Sequence, residues 1–223
     1  MKIISYRAQQ STLTSYAIKM TNQSQSGEVK YFVVYQIWPT APANDYVVAW
    51  LASPAAQNTS IYFEWDLTVS FAWAKTGEVR IGTIASVGQE CVAELTQNNR
   101  ITLTRLPQGA YQFAEQTTQT APQFTVVGDS NLPPDDVAVG MSMGSSGALA
   151  SQIVQAQASS SYSFIPNTPP EYMVGFSISS ITTGQVIDPH ALSQVARIQF
   201  PQNKTGADAV LQADNTWSIT YTA

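Results

Sequence analysis

Three residues have the types that a serine hydrolase needs. Ser142 is the centre of a Gly-Met-Ser-Met-Gly segment, which matches the G-x-S-x-G pattern, and Asp188 and His190 follow it along the chain. Glycines are needed in that pattern because the serine projects from a tight turn between a strand and a helix. Here, however, Asp188 and His190 only flank Pro189, and the chain lacks the repeated strand–helix–strand units of a hydrolase sheet. We therefore interpret the match as accidental.

Two carboxylates offer a second chemistry. Glu64 and Asp66 occupy alternate positions of a predicted strand, so their side chains share one face about 6.5–7 Å apart. A glycosidase uses such a pair as nucleophile and general acid. The phrase partly resembles the Glu-x-Asp-x-Glu of jelly-roll β-glucan hydrolases, but Thr68 stands where the second glutamate would be. We favour the polar face of an ordinary strand.

The residues that bind metals are sparse. His190 is the one histidine and Cys91 the one cysteine, and together they cannot supply the three protein ligands of a catalytic zinc ion. We expect Cys91 to be a small buried residue. Asp129, Asp135 and Asp136 lie in one proline-rich stretch, which leaves a calcium ion open without indicating one. No phosphate loop or dinucleotide fingerprint is present, so we predict no cofactor.

Three aromatic residues are the best candidates for binding a ligand. Trp38, Tyr46 and Trp50 bracket a proline-containing loop. Their rings could stack on a pyranose while neighbouring amide side chains bind its hydroxyl groups. The alternative is that all three pack in the core.

These residues must be positioned by strands, because the clearest pattern in the chain has period two. In residues 61–73 every odd position is large and apolar, which predicts a half-buried strand. Its length of thirteen residues suggests that a bend or bulge divides it. Residues 29–38 are apolar on both faces and predict a strand covered on both sides.

Shorter strands are predicted over residues 100–106, 137–143 and 172–178, and a hairpin turning at Asp214-Asn215 joins residues 210–213 to 216–221. Residues 148–158 fit either a strand or a helix, and residues 193–195 could end a short helical turn after Pro189. Prolines and glycines occur often between the predicted strands, as is typical of turns. We predict a single domain, 1–223, with an all-β fold: an antiparallel, jelly-roll-like β-sandwich with at most one short helix.

Composition excludes several classes of protein. The chain has 223 residues, a net charge of −5 and a pI of about 4.7, so it has no electrostatic footprint for nucleic acid. No long apolar run predicts a membrane span. One cysteine excludes an intramolecular disulfide. Residues 1–10 lack the apolar run of a signal peptide, from which we expect a cytoplasmic protein, with non-classical export open.

Several phrases, in this order along the chain, resemble the rhizosphere-expressed (RhiA-like) protein family of rhizobia and related bacteria. They are Asn22-Gln23-Ser24, Tyr35-Gln36-Ile37-Trp38-Pro39, Ala49-Trp50-Leu51-Ala52, Phe63-Glu64-Trp65, Ser70-Phe71-Ala72-Trp73 and Leu211-Gln212-Ala213-Asp214-Asn215-Thr216-Trp217. The resemblance implies a bacterial accessory protein of unsettled activity, linked to life near plant roots and to host interaction. It supplies no active-site motif to transfer.

The outer faces of the strands must be largely Ser, Thr, Gln and Asn, which number 75 residues against 25 charged ones. Residues 161–165 and 216–221 contain no charge that would deter pairing of sheet edges. We therefore predict a non-enzymatic protein that binds a partner or assembles into a homo-oligomer through polar strand faces. A carbohydrate or host-surface ligand stays open. The alternative is an enzyme hydrolysing glycans or esters, or a carbohydrate-binding module.

Overall fold

The computed structural model describes residues 14–39, 44–144 and 149–223. The segment considered as a signal sequence, residues 1–10, lies outside this part of the chain. So do most of the proline-containing loop between Trp38 and Tyr46, residues 40–43, and the first residue of the ambiguous segment, Ala148.

Strands make up most of the described residues, which contain no α-helix, and a 3-10 turn spans Pro189–Ala191. The all-β prediction is confirmed. The strands are β1 (Ser15–Asn22), β2 (Lys30–Tyr35), β3 (Asp45–Ala49), β4 (Leu51–Ala55), β5 (Ser60–Asp66), β6 (Val69–Lys75), β7 (Val87–Val92), β8 (Arg100–Arg105), β9 (Tyr111–Phe113), β10 (Phe124–Gly128), β11 (Val137–Met143), β12 (Leu149–Gln155), β13 (Ser161–Phe164), β14 (Tyr172–Ser177), β15 (Gln185–Ile187), β16 (Ser193–Ile198), β17 (Gly206–Leu211) and β18 (Trp217–Thr222).

The strands form four sheets that pack as two face-to-face pairs. In the first pair, the sheet β18-β17-β1-β5 packs on β16-β14-β2-β4, and the rings of Trp217 and Phe32 meet between them at 5.2 Å. In the second pair, β13-β10-β8-β9 packs on the six-stranded sheet β15-β3-β12-β11-β6-β7, with Phe124 against Phe71 at 5.9 Å. Buried side chains from both pairs belong to one continuous apolar cluster. The sandwich architecture is thus confirmed.

Most strand pairings are antiparallel, as predicted, and two are parallel. β1 runs parallel to β17, with Ile18 beside Ala207, and β8 runs parallel to β10. The alternation of side chains shows which face of a strand is buried but not the direction of its neighbour. The sequence patterns therefore could not predict these two parallel pairings.

The long alternating segment is divided, as its length suggested. β5 and β6 belong to different sheets, and the chain turns at Leu67 and Thr68, where the Asp66 carboxylate accepts a hydrogen bond of 2.7 Å from the Thr68 amide. Leu67, expected to face inward, is instead 37% exposed. The even face of β6 was expected to meet solvent, but Ala72 is fully buried there.

Two ambiguous segments are strands. Residues 149–155 form β12, which agrees with the strand alternative for that region. The expectation that residues 193–195 end a helical turn is wrong, because the turn stops earlier. The Leu192 amide bonds back to the Pro189 carbonyl and closes the turn, and Ser193 then pairs with Phe176 as the start of β16. The predicted C-terminal hairpin is confirmed, with Asn215 at a positive φ of 64°.

Candidate functional site

The residues of the hydrolase pattern are not assembled into a catalytic group. Ser142 lies inside β11, paired with β6 on one side and β12 on the other, and is only 1% exposed. Its hydroxyl has no hydrogen-bond partner among the described residues. Asp188 accepts a 2.9 Å hydrogen bond from the backbone amide of His190 and so caps the 3-10 turn rather than orienting the imidazole.

The two carboxylates of β5 also have structural partners. Glu64 is exposed on the outer face of the strand and accepts a 2.6 Å hydrogen bond from the Ser15 hydroxyl. Asp66 is half-buried and holds the turn after β5 through Thr68. Among the described residues, no third acidic side chain joins them in a cluster.

The residues considered for metals are separately engaged. The Asp129 carboxylate accepts a hydrogen bond from the Asn131 amide, and Asp136 accepts one from the Tyr111 hydroxyl at 2.5 Å. In the described ranges no three His, Cys, Asp or Glu side chains lie close enough to hold a metal ion, so the calcium hypothesis finds no support. Cys91 is half-buried rather than fully buried, and burial raises the pKa of its thiol.

The aromatic residues predicted to stack on a sugar lie mainly in the core. Trp50 is fully buried, with its ring 5.1 Å from Trp65 and 5.9 Å from Tyr172. Trp38 is 4% exposed, and its indole donates a 2.9 Å hydrogen bond to Gln36. Because neither indole presents a face to solvent, neither can stack on a sugar in this structure. Tyr46 is half-buried and packs against a separate apolar cluster on the six-stranded sheet, which includes Val48 and Ile153.

The outer surface of the sheet β18-β17-β1-β5 is mostly polar. Each strand directs apolar residues toward the core and hydroxyl, amine or carboxylate groups toward this outer surface. Tyr62 adds an aromatic ring that is 70% exposed. The Lys19 ammonium lies 5.8 Å from the centre of that ring. We call this surface the polar sheet face. Its polar members are Ser15, Lys19, Thr21, Ser60, Tyr62, Glu64, Asp66, Asp208, Ser218, Thr220 and Thr222, and Ala17 and Val210 are apolar residues on the same face.

One pair of neighbours on the polar sheet face has charges of opposite sign. Lys19 on β1 is in register with Asp208 on β17 and with Tyr62 on β5. Thr21 and Ser60 share a hydrogen bond of 2.8 Å across the same two strands. The face is therefore rich in hydrogen-bonding groups, and its three carboxylates, Glu64, Asp66 and Asp208, outnumber its one ammonium group, Lys19. Sequence reasoning assigned no role to Tyr62 or Lys19, although Tyr62 is the one aromatic residue on the polar side of its strand.

β18 ends this sheet with an unpaired edge. The Gln212 amide bonds to the Thr216 carbonyl, so by antiparallel alternation Ser218 and Thr220 direct their backbone groups toward β17. The N–H and C=O groups of Trp217, Ile219 and Tyr221 point the other way, and no backbone hydrogen bond from them reaches another described strand. We call these groups the β18 edge. The predicted edge positions of residues 161–165 and 216–221 are confirmed by the strand orders.

Side-chain contacts hold the β18 edge in place. The Trp217 indole donates a hydrogen bond to the Gln194 carbonyl, and the Tyr221 hydroxyl accepts one from the Gln199 amide at 3.2 Å. Both partners lie in or beside β16, at the margin of the facing sheet. The edge is thus held by contacts with the facing sheet, while its backbone groups stay open in the plane of its own sheet.

The part of the chain that the structure describes contains no helix with the length and apolar character of a membrane-spanning segment.

Comparison with known proteins agrees with the resemblance noted in the sequence. The family model of RhiA matches residues 13–222. The chain is similar to Protein RhiA of Rhizobium leguminosarum bv. viciae, with 29% identity over 211 residues that cover 92% of this chain and 86% of that protein. No solved structure matches the chain. Since the family match extends over nearly its whole length, the chain belongs to the RhiA family.

Proposed function

We propose that this RhiA-family chain is a non-enzymatic bacterial accessory protein that self-associates through the β18 edge, extending the polar sheet face across two copies. The observation that carries the proposal is an edge strand that has open backbone groups and no charged side chain. Such an edge is a template for another strand, and proteins that remain monomeric usually protect their edges with charges, prolines or bulges.

A second copy of the same strand fits this edge. Two antiparallel β18 strands related by a two-fold axis near Ile219 would place Trp217 of each copy beside Tyr221 of the other. The N–H and C=O groups of the β18 edge would then bond across the axis, and two four-stranded sheets would become one of eight strands. The polar sheet face would double in width.

The electrostatics of the chain favour such an association. Charged residues are 11% of the sequence and the net charge is only −5, so repulsion between two copies is weak. On β18 and its neighbour the nearest charge is Asp208, which has Lys19 beside it on β1. An interface built this way should bury well over about 1,000 Å² in total to be stable.

The non-enzymatic part of the proposal is supported by the placement of the residues that could have been catalytic. Ser142 is buried in the middle of a sheet, and His190 is exposed on a turn whose aspartate caps the backbone. Glu64 bonds to Ser15 on an open sheet face, away from any third carboxylate among the described residues. A hydrolase needs its nucleophile, base and orienting group in mutual contact.

A lysine at the edge tests the proposal. Thr220 is exposed at the centre of β18, and its cross-strand neighbour is Asp208, so a lysine there gains a carboxylate neighbour in its own chain. We expect Thr220→Lys to keep the fold and weaken association, because each lysine would lie opposite Ser218 of the other copy and diagonally across the axis from the second lysine, where the two ammonium groups repel. The control is Gln112→Lys, which adds the same charge at the exposed middle residue of another edge strand, β9.

The measurement is molar mass by light scattering over about a hundredfold range of concentration. Wild type and Gln112→Lys should rise above the monomer mass of 24.2 kDa as concentration increases, and Thr220→Lys should rise much less. A wild-type mass that stays at 24.2 kDa over the whole range would contradict the proposal. So would equal behaviour of the two lysine variants.

A further inference from the structure

A second surface, separate from the β18 edge, has the character of a small-molecule site. Where the chain passes from β5 to β6, a cleft of about 170 Å³ opens between Leu67, Val69, Met143 and Pro166. A shallower depression of about 400 Å³ shares Leu67, Val69 and Pro166 with it and continues to Phe124. The two lie side by side on these shared residues, and we call them together the Leu67 groove.

The walls of the Leu67 groove are mostly apolar, with Asn167 and Thr168 as polar wall residues of the deep part. Leu67 is 37% exposed and Val92, in the shallow part, is 59% exposed, although both are aliphatic. Prolines 166 and 170 supply further carbon surface in the deep part. Apolar surface left in water is unfavourable, and a ligand that covered it would gain from its removal.

The floor of the deep part contains a buried amide that is poorly satisfied. Gln36 is 3% exposed, and its Oε1 accepts a 2.9 Å hydrogen bond from the Trp38 indole. Its Nε2 donates to the Met143 sulfur at 3.9 Å, and the Tyr172 hydroxyl lies 3.7 Å from the same sulfur. A thioether is a weak acceptor, and a primary amide has two N–H groups to place. A buried donor with so weak a partner is costly.

We propose that the Leu67 groove binds a small aliphatic molecule with a neutral carbonyl, such as a medium-chain amide or ester, whose oxygen accepts a hydrogen bond from Gln36. The hydrocarbon chain would lie along Leu67 and Val69 toward Phe124. A neutral carbonyl fits better than a carboxylate, because the donor is an uncharged amide and Glu94 lines the shallow part. A sugar would leave most of its hydroxyls against the carbon surface of Leu67, Val69 and the prolines, and a cleft of about 170 Å³ is too small to hold a helix.

The methionine methyl groups supply the assay. Met143 lines the groove, whereas Met20 and Met141 are fully buried core residues. Octanamide is titrated into protein carrying labelled methionine methyls, and the methyl resonances are followed by NMR. We expect a saturable shift of the Met143 resonance with little change at Met20 and Met141, which also report that the fold is intact.

Three variants test the assignment. Leu67→Gln should weaken octanamide binding about five- to tenfold, whereas the control Ile178→Gln, at an exposed isoleucine outside the groove, should bind as wild type. Gln36→Leu should weaken binding by a similar factor through loss of the hydrogen bond. Absence of a Met143 shift, or identical titrations for Leu67→Gln and Ile178→Gln, would overturn the site. Unchanged binding by a folded Gln36→Leu would overturn the carbonyl assignment.

Discussion

Truncating Trp65 is the sharpest perturbation of the first sandwich. Trp65 is 4% exposed on the inner face of β5, and its ring meets those of Trp50, Tyr172 and Phe200 at 5.1, 4.9 and 6.2 Å. Its indole also donates a 3.0 Å hydrogen bond to the Tyr172 hydroxyl. The residue therefore joins the two sheets through both packing and a buried polar contact.

The expected cost follows from these contacts. Trp65→Ala removes a large buried ring and should lower the free energy of unfolding by about 3–5 kcal/mol. Trp65→Phe keeps an aromatic ring but loses the hydrogen bond to Tyr172, and should cost about 1–2 kcal/mol. Tyr62→Ala, on the outer face of the same strand, loses only the contact with Lys19 and should cost less than about 1 kcal/mol.

Urea unfolding followed by tryptophan fluorescence and circular dichroism gives the three values by linear extrapolation. The mild variant Trp65→Phe keeps the test informative if the alanine variant does not accumulate as a folded protein. Equal losses for Trp65→Ala and Tyr62→Ala would refute the assignment of the inner and outer faces of β5, and with it the location of the polar sheet face.

Two further predictions concern single side chains. Ser142→Ala removes a buried hydroxyl that has no partner among the described residues, so stability should stay within about 1 kcal/mol of wild type or rise, and His190→Ala should change it by less than about 0.5 kcal/mol. Urea midpoints measure both, and a loss above about 3 kcal/mol in either variant would show a structural role that these contacts do not predict. Burial raises the pKa of the Asp45 carboxyl above its ordinary value of 3.8. The native state then binds the proton more tightly than the unfolded state, so the contribution of Asp45 to stability falls as pH rises from 3.8 through the raised pKa. Asp45→Asn has no carboxyl group to ionise, so the stability of this variant relative to wild type should increase from acid to neutral pH. A relative stability that decreased over that range would show that the pKa of Asp45 is not raised.

The fold was largely accessible from the sequence because its signals are local. Alternation over residues 61–73 identified the inner residues Trp65 and Phe71, and the uncharged stretch at 216–221 identified an edge. Leu67 broke the pattern because the Asp66 side chain turns the chain between two sheets. The parallel pairing of β1 with β17 joins strands almost two hundred residues apart, and a period-two pattern contains no information on such a partner.

The surfaces were less accessible than the strands. Trp38 and Trp50 have the residue type and loop setting of sugar-stacking groups, yet both are buried between the sheets. Their burial depends on strands that are distant in the sequence, so neighbouring residues do not predict it. The Leu67 groove forms because a strand break exposes a leucine beside Gln36, and neither event has a signal of its own in the sequence. Edge character, in contrast, depends on the absence of charge and could be predicted.

The central claim is that a second copy pairs with the β18 edge, and amide hydrogen exchange at single-residue resolution tests it most directly. Exchange is measured at the two ends of the concentration range used for light scattering. The amides of Ile219 and Tyr221 should be protected in concentrated protein and exchange rapidly after dilution, whereas those of Ser218 and Thr220, which bond to β17, should remain protected at both concentrations. If Ile219 and Tyr221 exchange at the same rate at both concentrations, no second strand pairs there and the account is contradicted.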